Sequence, residues 1–331
     1  MITELYYHLK PILPRSIQLF LRKKRISYIL HKFRDCWPID PTAAAAPARW
    51  KGWPDGKQFA VVLTHDVDTS AGKHKCLDLM RLEQDMGVRS TFYFVPEGYE
   101  QDKQVHTKLK DNGFEIGVHG LLHDGKLFRS KSQFMKRAAK INQYIDQWQA
   151  TGFRSPCMHH NLSWISNLNV MHDASTYDFD PFEPQGGGMH TIFPFIVNDS
   201  ASKRSYVELP YTLPQDFLLY VLMQKRSIDI WQRKLDFVAQ NGGMVMLITH
   251  PDYMNFNGGP LGSEEYPADY YAELLQYLKT NYANKYWLTT AEGMAVFWKE
   301  NMQNTFSDLL VQRDDSKHQV CRNCKNVEAD F

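Results

Sequence analysis

The sequence predicts an α/β protein whose mainly parallel sheet curls into a barrel or partial barrel. Three observations lead there. From Lys57 to about Trp298, short apolar runs alternate with longer stretches of helical period, as repeated βα units require. The run Phe59-Ala-Val-Val-Leu-Thr64 is apolar and rich in β-branched residues, the composition of a strand buried on both faces. No Gly-x-Gly-x-x-Gly follows that first strand, which weighs against an open dinucleotide-binding sheet.

Taken in order, the strands are expected at 59–64, 90–95, 114–118, 151–153, 168–171, 191–197, 205–209, 244–249 and 286–289. Helices are expected at 73–87, 103–112, 131–149, 226–241, 267–283 and 291–300. Asn112-Gly113 and Asn241-Gly242-Gly243 read as helix stops placed just before a strand. Self-similarity at a fixed period is absent, so this is not a repeat array.

A chain of 331 residues suits one large domain with appendages or two smaller ones. Its 43% apolar and 23% charged content is that of a soluble globular protein, and a net charge of +1 gives no whole-molecule case for nucleic acid. The cysteines, Cys36, Cys76, Cys157, Cys321 and Cys324, are odd in number and scattered, which is not a disulfide framework. With no cleavable leader pattern and no run long enough to span a bilayer, a cytoplasmic protein is expected, soluble or peripheral on the inner face of a membrane.

Residues 1–36 stand apart. Eight lysines and arginines oppose two acids there, a local net charge of +6, and apolar residues are interleaved among them. Pro14 suits the start of a helix. A basic amphipathic helix of this kind can lie on an anionic membrane, dock on a partner protein, or pack on the main domain with its cations solvated. The proline- and alanine-rich stretch after Trp37 reads as a linker. The expected division is therefore 1–57 as basic segment and linker, 58–300 as barrel, and 301–331 as a polar tail. In that tail Cys321-x-x-Cys324 is half of a metal site with no second half nearby.

The chemistry concentrates at strand ends. Strand 59–64 runs into Thr64-His-Asp-Val-Asp68, a knot holding two carboxylates that need a cation or a proton between them in a dry pocket. After strand 114–118 come His119 and His123, spaced to face one way on a helical turn and grip one ion. Two histidines and one of the aspartates make a three-ligand set that leaves room for water and substrate. Arg154-Ser-Pro-Cys157 follows strand 151–153, and His250-Pro-Asp252 follows strand 244–249. A barrel gathers such carboxyl ends on one face.

These residues also carry a resemblance. Thr64-His-Asp-Val-Asp68, His119-x-x-x-His123, Arg154-x-Pro156 and Leu247-x-x-His250-Pro251 resemble, in order, the motifs of the polysaccharide deacetylases (the NodB-homology domain, carbohydrate esterase family 4) over about residues 58–298. The resemblance implies a distorted (β/α)7 barrel and a divalent metal, usually Zn2+, with Co2+ or Ni2+ as substitutes. It implies Asp66 as catalytic base, Asp68, His119 and His123 as metal ligands, His250 as general acid, and Arg154 as the group that orients and tunes Asp66. Asp216, in Glu208-Leu-Pro-Tyr-Thr-Leu-Pro-Gln-Asp216, falls where the family carries an acid supporting that histidine. Val67 separates the two aspartates where the commonest family motif has them adjacent, but residues i and i+2 of an extended chain share a face. After Pro156, where an aromatic residue is usual, stands Cys157, whose backbone N–H would help stabilise an oxyanion. The segment from Asp173 to Pro184 resembles a subgroup associated with surface-polysaccharide synthesis.

The resulting expectation is a hydrolase that removes N-acetyl or O-acetyl groups from an amino-sugar polysaccharide or its precursor. Its partner is then an acetylated glycan and not a nucleic acid, with a membrane or protein contact open for residues 1–36. A cyclic-amide hydrolase of the same fold without tight metal, and a carbohydrate-binding barrel without turnover, are the alternatives. Trp164, Tyr177, Phe182 and Tyr253 are the aromatic residues nearest the motifs that a sugar platform would draw on.

Overall fold

The computed structural model describes residues 14–185, 187–199 and 202–302. The Cys321/Cys324 pair and residues 1–13 lie outside them. The described residues open with helix α1 (Arg15–Phe33), entered from Pro14 as its fixed φ favours. Then follow β1 (Phe59–Val67), α2 (Ser70–Asp85), β2 (Thr91–Phe94), α3 (Lys103–Asp111), β3 (Glu115–His119), α4 (Lys131–Trp148) and β4 (Gly152–Arg154). Side chains cap these helices: Thr69 accepts from Ala71 N–H, Asp102 from Gln104 N–H and Ser130 from Gln133 N–H. The short α5 (Leu162–Ile165), β5 (His172–Asp173), β6 (Phe195–Asp199) and β7 (Arg204–Glu208) come next. The described residues end with α6 (Asp229–Gln240), β8 (Met244–Thr249), β9 (Met254–Asn255), β10 (Tyr266–Pro267), α7 (Asp269–Asn281), β11 (Tyr286–Thr289) and α8 (Ala291–Met302).

All nine residues of β1 are buried, and it is the hub of the sheet. Along one edge it pairs in parallel with β8, Ala60 against Met244 through His65 against Thr249. Along the other edge its first half meets β11 and its second half β2, again in parallel. Parallel pairing continues from β2 to β3, β4, β5 and β7. Past β5 and β7 the chain closes the ring through single parallel bridges, Tyr177 to Tyr211 and Leu213 to Leu247. The parallel positions around the ring are thus β1, β2, β3, β4, β5, β7 and β8, a (β/α) barrel irregular on its β5–β7 side. β6 runs antiparallel to β7 and is the exception.

Two expected strands differ in place. The apolar run at 168–171 precedes β5 instead of forming it, and the run at 191–197 becomes strand only from Phe195 onward. In β5 the buried residues are polar, His172 and Asp173, and they sit in the barrel because Tyr93 and Ser175 bond to them.

An aromatic cluster of Trp50, Trp53, Phe193, Trp287, Phe297 and Trp298 packs beneath the amino-terminal ends of β1 and β8, where Trp53 Nε1 donates to the Gly242 carbonyl (2.8 Å). The opposite end, where the strands finish, is left to the polar residues. The proline- and alanine-rich stretch packs onto the barrel: Ala43 is fully buried, its carbonyl accepts from Ile192 N–H, and Asp40 pairs with His190 at 2.6 Å. Lys234 Nζ donates to the Pro38 carbonyl and pairs with Asp178, so this connection is anchored at both ends. No helix among the described residues is long and apolar enough to cross a membrane.

Candidate active site

Alternation along β1 sorts the Thr64–Asp68 knot into two sets. His65 turns away from the rim into a buried network, with Nδ1 2.7 Å from Thr249 Oγ1 and Nε2 2.9 Å from Glu83, which also accepts from Ser90 and Tyr271. Asp66 and Asp68 face the other way, into the mouth of the barrel. His119 ends β3 and Arg154 ends β4, directly paired across the sheet, and His250 immediately follows β8. Four strands thus deliver their polar ends to one rim.

Arg154 is wholly buried. Its Nη1 donates to Asp66 Oδ1 at 2.7 Å, its Nε donates to the Ala174 carbonyl at 2.9 Å, and its guanidinium lies 4.4 Å above the Tyr93 ring. Burial works against an ionised Asp66, but Arg154, then His119 and His250, outweigh it and hold that carboxyl below the ordinary range.

Beside this pair, Asp68 Oδ1 lies 3.3 Å from His119 Nε2 and 3.4 Å from His123 Nε2. The ligand atoms of all three lie within 4.8 Å of one another. His119 Nδ1 lies 3.1 Å from the Arg154 carbonyl. A carbonyl only accepts, so Nδ1 carries a hydrogen, and Nε2 is the atom turned towards Asp68. Asp68 Oδ1 is buried and makes no hydrogen bond. Burial opposes its charge, yet His123 and His119 keep this carboxyl too below its usual value. Two imidazole nitrogens and an unpartnered carboxylate oxygen converging on one point are a donor set for a divalent cation.

Across the mouth, Asp216 takes four bonds. It accepts from the N–H of His250 (2.8 Å), from Phe217 N–H (2.7 Å), from Tyr266 Oη (2.8 Å), and from His250 Nδ1 at 2.6 Å. Burial would lower the pKa of His250; Asp216 overrides this and lifts it to about 10, so the imidazolium persists at neutral pH. The third wall is the turn Pro156–Met158. Cys157 and Met158 both sit at positive φ, +60° and +54°, a conformation costly for side-chain-bearing residues. Gly120, at φ +64°, passes beneath Pro156 so closely that a Cβ would fall 2.5 Å from the proline ring. Ser175 Oγ accepts from Ser155 N–H and donates to Asp173, tying this turn to β5.

The expected residues Asp66, Asp68, His119, His123, Arg154, Pro156, Cys157, Asp216 and His250 all lie around this rim. Residues 54–166, which run from just before β1 through α5, match the family model for polysaccharide deacetylase. This segment belongs to that family. It holds Asp66, Asp68, His119, His123, Arg154 and Cys157, whereas Asp216 and His250 lie beyond it and are joined to it by the fold.

The deacetylase fold extends over the rest of the barrel. A polysaccharide deacetylase-type protein from Mycobacterium smegmatis superposes with a TM-score of 0.60 at 19% identity, covering 77% of this chain and 95% of that one. The PuuE allantoinase superposes with a TM-score of 0.60 at 13% identity, covering 80% and 98%. A polysaccharide deacetylase-type protein from Pseudomonas aeruginosa PAO1 gives 0.58 at 14%, covering 80% and 98%. At these identities the likeness is one of fold. The comparison with curated protein sequences gives no match.

Around the deacetylase motifs, three residues take positions that sequence reading did not assign. Tyr266, fully buried, holds Asp216. Tyr93 supports the Arg154 guanidinium. Asp252, two residues past His250, accepts from the N–H groups of Asp68 (3.1 Å) and Thr69 (3.0 Å), fixing the backbone that carries Asp68. Asp252 sat in the quoted His250-Pro-Asp252 run, a signal available from spacing; Tyr93 and Tyr266 gave none. Of the four aromatic candidates, Tyr177 is fully buried, Phe182 packs on Trp37, and Trp164 packs on Phe128 and Phe134. Tyr253 alone touches the site, its ring 5.4 Å from that of His250.

Proposed function

We propose that this chain is a metal-dependent hydrolase that removes N-acetyl or O-acetyl groups from an amino-sugar-containing polysaccharide or its precursor. The observation that carries the reading is the convergence of His119 Nε2 and His123 Nε2 on the unpartnered Asp68 Oδ1, beside an Asp66 held ionised by Arg154. Asp68, His119 and His123 would hold the cation, and a set of two nitrogens and one oxygen suits Zn2+, with Co2+ or Ni2+ as substitutes. Such an ion supplies Lewis acidity to the acetyl carbonyl and lowers the pKa of water.

The side chains divide the proton traffic. Asp66, kept a carboxylate by Arg154, takes the proton of the attacking water. His250, kept an imidazolium by Asp216, gives a proton to the departing amine, which is otherwise too basic to leave. The backbone N–H of Cys157, on its left-handed turn above Gly120, is the donor for the oxyanion.

The test is acetate release by the full chain from chitin oligomers and from an acetylated surface polysaccharide, with Asp66→Asn and His250→Ala alongside. Each variant should lose about 10²–10⁴-fold in kcat while keeping the wild-type metal content. Near-wild-type turnover in either would sink the role assignment. Ring opening of a cyclic ureide with no acetate released would move the activity to cyclic-amide hydrolysis.

A further inference from the structure

Helix α1 carries two apolar stripes, and the fold uses one. Leu19, Ile26 and Ile29 are buried against the barrel. On the far side of the same helix Ile17, Phe20, Leu21 and Tyr28 are 43%, 58%, 43% and 68% exposed. They are four of the seven large apolar side chains exposed among the described residues, so the patch is a concentration and not the ordinary scatter.

The charge around this stripe has one sign. Arg15–Phe33 contains six lysines and arginines and no acid, in a chain whose total is only +1. Arg15, Arg22 and Arg25 reach inward, to Glu264, the Phe217 ring and the Phe182 carbonyl. Helical spacing puts Lys24 and Lys32 outward beside the apolar stripe, with Lys24 Nζ 5.7 Å from the Phe20 ring centre.

We propose that the outward face of α1 docks this protein on an anionic lipid bilayer, with Phe20, Leu21 and Tyr28 entering the headgroup layer and Lys24 and Lys32 meeting lipid phosphates. Apolar side chains flanked by cations fit that surface. A second copy fits worse, because pairing two such faces sets cations against cations. The inward face fixes what the docking does. Arg22 lies 4.6 Å above Phe217, whose N–H bonds Asp216, so the barrel mouth is held beside the lipid surface. The inference rests on this geometry and not on the proposed hydrolysis.

The experiment is co-sedimentation of the full chain with vesicles of phosphatidylcholine alone and of phosphatidylcholine with phosphatidylglycerol, at low and high salt. Binding is expected to the anionic vesicles only and to weaken with salt. Phe20→Ser with Leu21→Ser should abolish it at an unchanged melting temperature. Lys24→Glu, at an exposed position, with Lys32→Glu, at a half-buried one, should weaken it about 25-fold or more, from about fivefold per cation removed, at an unchanged melting temperature. Equal binding to both vesicle types, or wild-type binding by the charge variant, would overturn the proposal. So would a dimer lost in Phe20→Ser with no vesicle binding, which would give this face to a second copy.

Discussion

Asp216→Asn tests the acid half of the site with little change in shape. The wild-type carboxylate is the chief influence lifting His250 from its ordinary 6.5 to about 10, with Asp68 and Asp66 adding to it, against a burial effect that acts in the opposite direction. An amide keeps the volume and can still take the Tyr266 hydrogen bond, but it removes the charge. The imidazole pKa should then fall towards its ordinary 6.5, with Asp66 and Asp68 still raising it and burial still lowering it. At pH 8 a group titrating at 6.5 is about 3% protonated, so a reaction that needs the imidazolium slows about thirtyfold, whereas the wild-type enzyme is essentially undiminished. The assay is kcat/KM for acetate release across pH. The wild-type alkaline limb should fall near pH 10, and that of Asp216→Asn well below it, towards pH 6.5. Stability follows the same sign: His250 is raised on folding, so its contribution is complete below pH 6.5 and is lost as pH climbs towards 10. Asp216→Asn should flatten that slope in denaturant titrations. An alkaline limb unmoved by the substitution would refute the pairing as the source of acidity.

Two other changes probe the remaining walls. His119→Ala should lose stoichiometric metal by elemental analysis, since one of three converging donors is removed; unchanged metal content would break the ligand set. Gly72→Ala puts a Cβ 2.1 Å from Asp252 Oδ2, so the carboxylate that anchors the Asp68 and Thr69 N–H groups must move. About 1–3 kcal/mol of stability should go with it by chemical denaturation, together with weaker metal retention.

Much of this architecture could be read from residue order because buried parallel strands are long apolar runs. β1, β3 and β8 fell where Phe59–Thr64, Phe114–Val118 and Met244–Thr249 said they would. β5 did not, because its two buried residues are His172 and Asp173, and their partners Tyr93 and Ser175 are visible only after folding. The same asymmetry runs through the rim. Asp66 and Asp68 share a face by strand alternation. His119 and His123 do meet, but not on the helical turn their spacing suggested: His119 ends β3, and the chain bends past Gly120, at φ +64°, before His123 reaches Asp68. Asp216 came only by resemblance, and Tyr266 not at all, since fifty residues separate it from the carboxylate it holds. The alanine-rich connection looked like a tether because small residues give no packing signal, yet Ala43 has no exposed surface.

The position of β1 has a consequence for how the molecule is made. The strand that carries Asp66 and leads directly into Asp68 lies between partners drawn from far down the chain: Thr64 sits across from Ile248, and Val62 from Thr289. Closing so long a loop costs entropy before any contact repays it, so topologies of this kind fold slowly. On the ribosome the two aspartates emerge early and wait, without their neighbours, until β8 and β11 have been synthesised. The cleft should therefore be among the last features to mature, and a chain stopped short of β8 should bind no metal.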